Sequence, residues 1–163
     1  MEHRESKKVI LDACCGARMF WFDKTNPDVL YADIRVKEFT CCDGRKVNIA
    51  PDEVVDFQEM PFGDKSFKLV VFDPPHLVQA GACGWLSQKY GSLPRKGWES
   101  YIKAGFEECW RVLDDYGTLI FKWNETDIPV PRIIKAIGRE PLFGNKCGKT
   151  SRTHWMCFMK MPK

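Results

Sequence analysis

The stretch KLVVFDPPH, residues 68–76, decides the fold class of this chain of 163 residues. Four apolar residues run without a break into Asp73, and two prolines follow the aspartate at once. A continuous apolar run of this kind is typical of a central parallel strand that is buried on both faces of its sheet. The same pattern, an apolar run that leads to an aspartate, occurs in residues 8–14 (KVILDAC) and 29–33 (VLYAD). We therefore predict three parallel strands, each with a carboxylate at or near its carboxyl end.

Later segments alternate between helix and strand patterns. Apolar side chains recur at helical spacing in residues 98–113, and residues 117–123 form a strand-like run after a turn at residues 115–117. Such alternation predicts an α/β fold with a mostly parallel sheet and right-handed crossovers. Sheets of this kind bind ligands at the carboxyl ends of their strands, where the aspartates are expected. Because about 150 residues make one domain, we predict a single compact domain over residues 1–163.

Some regions depart from this alternation. Residues 39–49 centre on an Asp-Gly pair between β-prone residues, which predicts a hairpin rather than a crossover helix. Residues 77–97 are rich in glycine and hold no acidic residue. Loops of this length in compact domains are usually functional or disordered. At the carboxyl end we predict a short helix over residues 131–137, then antiparallel strands over residues 142–147 and 153–161.

Composition excludes several classes of protein. Hydrophobic residues make up 44% and charged residues 29%, as in ordinary globular proteins. No apolar run approaches the roughly 20 residues of a membrane span, and the first residues do not form a signal peptide. The eight cysteines are therefore expected to be reduced thiols of a cytoplasmic protein. Cys147, His154 and Cys157 could supply zinc ligands, but the chain has no CxxC pair, and we predict no metal.

The net charge of +3 is unevenly distributed along the chain. Residues 129–163 contain eight Lys or Arg and one acid, which gives +7, whereas residues 1–128 carry −4. A basic end on an acidic body predicts a polyanionic partner. A basic face that only contacts solvent is an equally weighted alternative.

Residues 9–16 (VILDACCG) resemble the first motif of class I S-adenosylmethionine-dependent methyltransferases. In that family, the first strand of a Rossmann-like sheet runs into a glycine turn beneath the amino-acid end of the cofactor. The resemblance implies that Asp12, Cys14 and Gly16 hold the methionine part of S-adenosylmethionine. The sequence departs from the family motif at Cys14 and Arg18, where glycines are usual.

The same resemblance extends to the rest of the cofactor site. Asp33 matches the acid at the end of the second strand, which accepts hydrogen bonds from both ribose hydroxyls, and Ile34 follows it. Residues 56–67 resemble the family's adenine-binding stretch, which makes Asp56 and Phe57 the implied adenine contacts. A nicotinamide cofactor is disfavoured because the chain lacks the GxGxxG motif.

Asp73-Pro-Pro-His76 resembles the D/N/S-P-P-Y/F/W motif of methyltransferases that modify exocyclic nitrogens of adenine or cytosine. The resemblance implies that Asp73, Pro74, Pro75 and His76 are the catalytic residues. A carboxylate and a backbone carbonyl can accept the two hydrogens of a conjugated amine and so aim its lone pair at a methyl group. His76 stands where the family has a larger aromatic residue, and imidazole can still stack on a base.

Basic residues near aromatic ones are the candidates for substrate binding, since they suit phosphate contacts and base stacking. They are Lys89, Arg95, Lys96, Lys149 and Arg152. The expected function is methyl transfer from S-adenosylmethionine to an exocyclic amino nitrogen of a nucleic-acid base, with DNA adenine favoured over RNA. The alternatives are a small-molecule or protein methyltransferase and a non-catalytic cofactor- or nucleic-acid-binding module. The sequence predicts no oligomeric state.

Overall fold

A computed structural model describes residues 8–41, 43–78, 91–146, 148 and 150–162. The strands in these residues are β1 (Ile10–Asp12), β2 (Val29–Asp33), β3 (Lys37–Thr40), β4 (Lys46–Ile49), β5 (Glu53–Val54), β6 (Phe67–Phe72), β7 (Leu113–Asn124), β8 (Phe143–Lys146) and β9 (Thr153–Met159). The helices in the same residues are α1 (Trp98–Val112) and α2 (Val130–Ile137).

Seven of the strands form one sheet in the order β5-β2-β1-β6-β7-β9-β8. The five strands from β5 to β7 in this order pair in parallel, and β9 runs antiparallel to both of its neighbours. This arrangement confirms the predicted α/β fold with a mostly parallel sheet and an antiparallel C-terminal strand. Among the strands of the described residues, β3 and β4 pair only with each other, as the predicted hairpin requires.

Both helices form close to their predicted positions. The face of α1 that includes Ile102, Phe106 and Cys109 is buried in the core, which the helical spacing predicts. Helix α2 has a proline in its first turn and ends at Gly138, whose φ of 71° is the left-handed conformation that glycine adopts easily. Within the described residues, no helix is long and apolar enough to cross a membrane.

The bounds of several predicted strands were wrong, and β9 ends at Met159 rather than at residue 161. Strand β1 is shorter than the predicted residues 8–14, because the Cys14 N–H turns back toward the Asp12 carboxylate at 3.3 Å. Strand β7 is longer than predicted and includes the expected turn. At the turn, the pairing register between β6 and β7 shifts. At that point Tyr116 has a φ of 58°, and its N–H donates to the Lys160 carbonyl at 2.7 Å. The chain therefore stays attached to the sheet instead of leaving it.

Strands β1 and β2 are joined without a helix, since residues 13–28 are fully described and consist of turns. Arg18 fastens this connection. Its guanidinium donates to the carbonyls of Lys24 at 2.7 Å and Ala50 at 2.9 Å, and it pairs with Asp52 at 2.9 Å. It also lies 3.8 Å from the centre of the Tyr31 ring. The arginine that replaces an expected glycine thus has a structural role in holding the loop over β2.

The segment between β5 and β6 is anchored to α1 by Arg111. This guanidinium binds Glu108 and Asp64 at 2.7 Å each, and the carbonyls of Phe62 at 2.8 Å and Met60 at 3.1 Å. Each of these bonds contributes little to stability because Arg111 is partly exposed, but together they fix the position of the loop. The loop in turn carries Phe57 into the core above the carboxyl ends of the strands.

Candidate active site

The parallel strands bring three aspartates to one edge of the sheet. Asp12 and Asp33 are the last residues of β1 and β2, and Asp73 directly follows β6. Asp12 and Asp33 are buried, whereas Asp73 is partly exposed. The described residues contain no group of three or more His, Cys, Asp or Glu side chains that could hold a metal ion. The convergence that the sequence predicts therefore exists without forming a metal site in this part of the chain.

Three cavities open at this edge, and we name each after a residue in its wall. The Lys122 cavity has a volume of about 260 Å³, the Tyr101 cavity about 200 Å³ and the Thr153 cavity about 300 Å³. Cys14, Arg35 and Asp73 line both the Lys122 cavity and the Tyr101 cavity, so these two adjoin. Asp73 and Lys122 also line the Thr153 cavity. Asp73 is thus common to all three.

The turn after β1 places the backbone N–H of Gly16 beside the Asp33 carboxylate. Gly16 has a φ of 49°, and its N–H donates to Oδ2 of Asp33 at 2.9 Å. A side chain at this position would have open space, with only the Arg35 guanidinium 3.9 Å from its Cβ, so backbone conformation is what requires glycine. Cys14 lies in the shared wall, and burial raises the pKa of its thiol well above the ordinary range. The Cys14 thiol is therefore protonated at neutral pH and is not a nucleophile.

Asp12 lies beneath this turn and is absent from the described residues that form the cavity walls. Its Oδ2 accepts the indole N–H of Trp21 at 2.7 Å. Burial raises the pKa of Asp12 to about 7, although the bond from Trp21 opposes the rise. In this structure Asp12 holds the turn from below, and its implied contact with a cofactor stays a prediction.

Asp33 is held by Arg35. Nε of Arg35 donates to Oδ1 of Asp33, and Nη2 donates to Oδ2, each at 2.9 Å. The Arg35 backbone N–H adds a third bond to Oδ1 at 2.9 Å. Because the Gly16 N–H also binds Oδ2, both oxygens of the implied ribose acceptor are already engaged. The sequence analysis missed Arg35, although its position two residues after a carboxylate is a local signal.

The Tyr101 cavity combines this carboxylate with apolar and aromatic side chains. Phe57 packs edge-on against Tyr101, with 5.1 Å between the ring centres, and Ile34 is half exposed in the same wall. Asp56 is exposed, and its Oδ1 accepts the Gln58 N–H at 2.9 Å. Of the two implied adenine contacts, the structure therefore places Phe57 in the wall and uses Asp56 in a local turn. Tyr101, which α1 supplies, was recognised in the sequence only as an apolar helix position.

The Pro-Pro segment is packed firmly at the end of β6. A Cβ on Gly91 would lie only 3.0 Å from Cγ of Pro75, and Gly91 has a φ of 75°, so both space and conformation require glycine there. The Leu93 N–H donates to the Leu77 carbonyl at 2.8 Å, which joins the two ends of the predicted long loop. Residues 79–90 of that loop lie outside the described residues.

Asp73 forms an ion pair with Lys122, with 2.6 Å between Nζ and Oδ2. Burial raises the pKa of Asp73 above its ordinary value, and the Lys122 ammonium opposes this rise. Burial, together with the Lys122 charge, lowers the pKa of His76 to about 4. At neutral pH the imidazole of His76 is therefore uncharged, and it lines the same cavity as the Asp73–Lys122 ion pair. Lys122 was missed because the sequence analysis looked for acids at strand ends and not for bases.

Only part of the predicted substrate-binding set can be located. Arg95 and Lys96 are exposed in the segment before α1, and they are absent from the described residues that line the three cavities. Arg152 is exposed and precedes Thr153, which lines the Thr153 cavity. Lys89 and Lys149 lie outside the described residues, as does Cys147 of the zinc alternative. The five cysteines that the structure describes as free are Cys14, Cys15, Cys41, Cys109 and Cys157.

Within the seven-stranded sheet, the strand order and the antiparallel β9 match the Rossmann-like class I methyltransferase sheet that the sequence predicts. Among solved structures, the chain is similar to the PH0226 protein from Pyrococcus horikoshii OT3, with a TM-score of 0.57 and 14% identity over 98% of this chain and 84% of that chain. It also matches HI0767 from Haemophilus influenzae, described as a candidate methylase, with a TM-score of 0.47 and 13% identity over 98% of this chain and 90% of that chain. The similarity to PH0226 is one of fold alone. No protein-family model and no curated protein matches the chain.

Proposed function

We propose that this chain transfers a methyl group from S-adenosylmethionine to an exocyclic amino nitrogen of a nucleic-acid base. The observation that carries the proposal is the position of Asp73. It lies where a cavity suited to an adenosine and a cavity with aromatic walls adjoin. A carboxylate at that junction can hold an acceptor amine directly beside the reactive part of a bound cofactor.

The donor set of the Tyr101 cavity fits the nucleoside part of S-adenosylmethionine. Asp33 offers a carboxylate for two ribose hydroxyls once Arg35 releases it. Ile34, Phe57 and Tyr101 offer apolar faces for the adenine ring. Gly16 lines the Lys122 cavity, and its side of that cavity would hold the amino-acid end of the cofactor above Asp12. When bound, the cofactor supplies a methyl group that its sulfonium has already activated.

The walls of the Lys122 cavity suit a flat acceptor that carries an amine. Phe20 and His76 both line it, and His76 is uncharged at neutral pH, so either ring can face a base. Asp73 can accept one hydrogen of the amine. Pro74 and Pro75 lie outside helices and strands, so the carbonyl of either can accept the second hydrogen. Because methyl transfer from a sulfonium needs little acid–base help, these residues act by positioning.

The position of the basic carboxyl end supports a polyanionic acceptor. Strand β9 begins at Thr153 in the wall of the Thr153 cavity, directly after the exposed Arg152. One base of the cationic residues 129–163, Arg152, therefore lies next to the cavity that Asp73 and His76 also line. Exposed basic residues at the mouth of a site are suited to phosphate contacts, which position a nucleic acid without reading its sequence.

Calorimetry and labelled transfer test the proposal together. Calorimetry should detect binding of both S-adenosylmethionine and its demethylated product. Label from methyl-tritiated cofactor should appear in DNA or RNA, and nucleoside analysis should find it on an exocyclic nitrogen. Asp73→Ala should abolish transfer and retain most of the cofactor binding, while Asp115→Ala, at a surface ion pair with Lys65, should behave as wild type. Label in the protein pool alone, or no cofactor binding, would contradict the proposal.

A further inference from the structure

Lys122 places a positive charge in the wall of the candidate acceptor site. Strands β6 and β7 pair in parallel with Phe72 opposite Phe121, so the next residue on each strand, Asp73 and Lys122, also face one another. Their side chains are 18% and 23% exposed, and the ion pair spans 2.6 Å. Charges that are mostly withdrawn from water are stabilised by pairing, so Lys122 and Asp73 hold each other in place.

Aromatic rings enclose the ammonium from the other side. Lys122 lies opposite Trp155 in the β7–β9 register, and its Nζ is 5.7 Å from the centre of that ring. Phe20 lies 5.4 Å from the same Nζ and packs edge-on against Trp155. Ring faces attract a cation at these distances. The ammonium thus has a defined position between one carboxylate and two rings.

We propose that Lys122 is a positioning and specificity-determining residue, which fixes one oxygen of Asp73 and restricts the acceptor to a neutral, planar amine. This inference rests on the function proposed above. With Oδ2 held by Lys122, Oδ1 is the oxygen that remains to receive an acceptor N–H. Because Lys122 offsets the charge of Asp73, the site offers no net negative charge to attract a cationic acceptor such as a lysine side chain, whereas the uncharged amine of a base needs none.

The chemistry of the transfer explains why the charge of the acceptor nitrogen decides whether it can react. The nitrogen lone pair forms the new N–C bond, the methyl C–S bond breaks, and its electron pair stays on sulfur. The extra proton then leaves the nitrogen for the free oxygen of Asp73 or for water. An alkylammonium has no lone pair and must first lose a proton, whereas an exocyclic base amine already has one. Lys122 therefore favours acceptors that need no prior deprotonation.

Lys122→Met and Lys122→Arg provide a matched test. Lys122→Met should reduce labelled transfer to nucleic acid by about 100-fold, since a misplaced reacting group costs roughly that much, while the Kd for S-adenosylmethionine stays within about twofold. Lys122→Arg keeps the charge and should retain most of the transfer. Wild-type protein should transfer no label to a lysine-rich peptide. Transfer to that peptide, or undiminished transfer by Lys122→Met, would overturn the assignment.

Histidine titration by NMR supplies a readout that does not depend on the acceptor. His76 is affected by the charges of Lys122 and Asp127. Removing the ammonium in Lys122→Met should raise the His76 pKa from about 4, and Lys122→Arg should leave it low. An unchanged His76 pKa in Lys122→Met would mean that the Lys122 ammonium does not act electrostatically on His76. Absence of cofactor binding, or of all transfer, contradicts the proposed function instead, so the two failures are distinct.

Discussion

Arg35 binds Asp33 in a bidentate ion pair, in which Nε and Nη2 each donate at 2.9 Å to a different carboxylate oxygen. The Arg35 side chain is 26% exposed and that of Asp33 3% exposed. Because Arg35 lines both the Lys122 cavity and the Tyr101 cavity, its guanidinium lies between them. Any diol that binds Asp33 must therefore displace Arg35, and this competition sets the first prediction.

Arg35→Ala should bind S-adenosylmethionine about tenfold more tightly than wild type. Without Arg35, the Asp33 carboxylate is free to accept the ribose hydroxyls and no longer has to give up its bonds to the guanidinium first. The same change should destabilise the ligand-free protein by about 1–3 kcal/mol, since it leaves a buried carboxylate without its main partner. Calorimetry and denaturant unfolding measure the two effects.

Arg45→Ala is the matched control for that variant. Arg45 also pairs with an aspartate two residues before it, at 2.6 Å from Asp43, but both side chains are well exposed. The Arg45→Ala variant should change neither the affinity for S-adenosylmethionine nor the stability noticeably, because exposed ion pairs contribute little to stability. If Arg35→Ala bound the cofactor more weakly than wild type, Arg35 would be a cofactor contact and not a competitor.

Gly16→Ala should weaken cofactor binding and stability together. The φ of 49° costs an alanine about 1–2 kcal/mol, so the turn relaxes and withdraws its N–H from Asp33. Gly63→Ala is the control, because its Cβ would make only an ordinary contact of 3.5 Å with Ser66. Thermal unfolding with and without S-adenosylmethionine measures both effects. Equal behaviour of the two variants would show that the Gly16 conformation is unimportant.

Gly105→Ala should destabilise the fold and disturb the Tyr101 cavity. A Cβ on Gly105 would lie 2.7 Å from Cε2 of Phe57 and 2.9 Å from Cζ of Phe72, so one of these rings must move. Overpacking of this kind costs about 1–3 kcal/mol. Denaturant unfolding should detect the loss, while Ser100→Ala at an exposed position of the same helix should not lower stability. A fully stable Gly105→Ala would contradict the close packing of α1 on Phe57.

Asp12 should make stability fall as pH rises from about 4 to about 7. Burial raises the pKa of Asp12 from 3.8 to about 7. Below pH 3.8 the carboxyl is protonated whether the chain is folded or unfolded, so burial carries no charge penalty. Above pH 7 it is ionised in both states, and the penalty is complete. At about 1.4 kcal/mol per pKa unit, the loss is on the order of 4 kcal/mol.

Asp12→Asn removes this titration. Relative to wild type, the variant should gain stability steadily between pH 4 and pH 7, as measured by urea unfolding at several pH values. A constant difference between the two proteins over this interval would mean that Asp12 does not titrate there.

The sequence by itself determined the fold class and the approximate position of the site. Apolar runs that end in aspartates, helical spacing in residues 98–113 and an Asp-Gly turn are local patterns, and strand and helix formation depends strongly on such patterns. Parallel pairing then brings the carboxyl ends of the strands, and therefore Asp12, Asp33 and Asp73, to one edge without further information.

Tertiary structure alone decided what each aspartate contacts. Trp21 reaches Asp12 through a loop that replaces a crossover helix, and Lys122 meets Asp73 across 49 positions of sequence because β6 and β7 are neighbours in register. Arg35 is close to Asp33 in sequence, yet its guanidinium lies 3.9 Å from the Cβ position of Gly16 and 3.8 Å from that of Gly91, two segments that only the fold brings together. Periodicity specifies which residues are buried, but the partners of buried charges are set by strand order and register, which the sequence does not display.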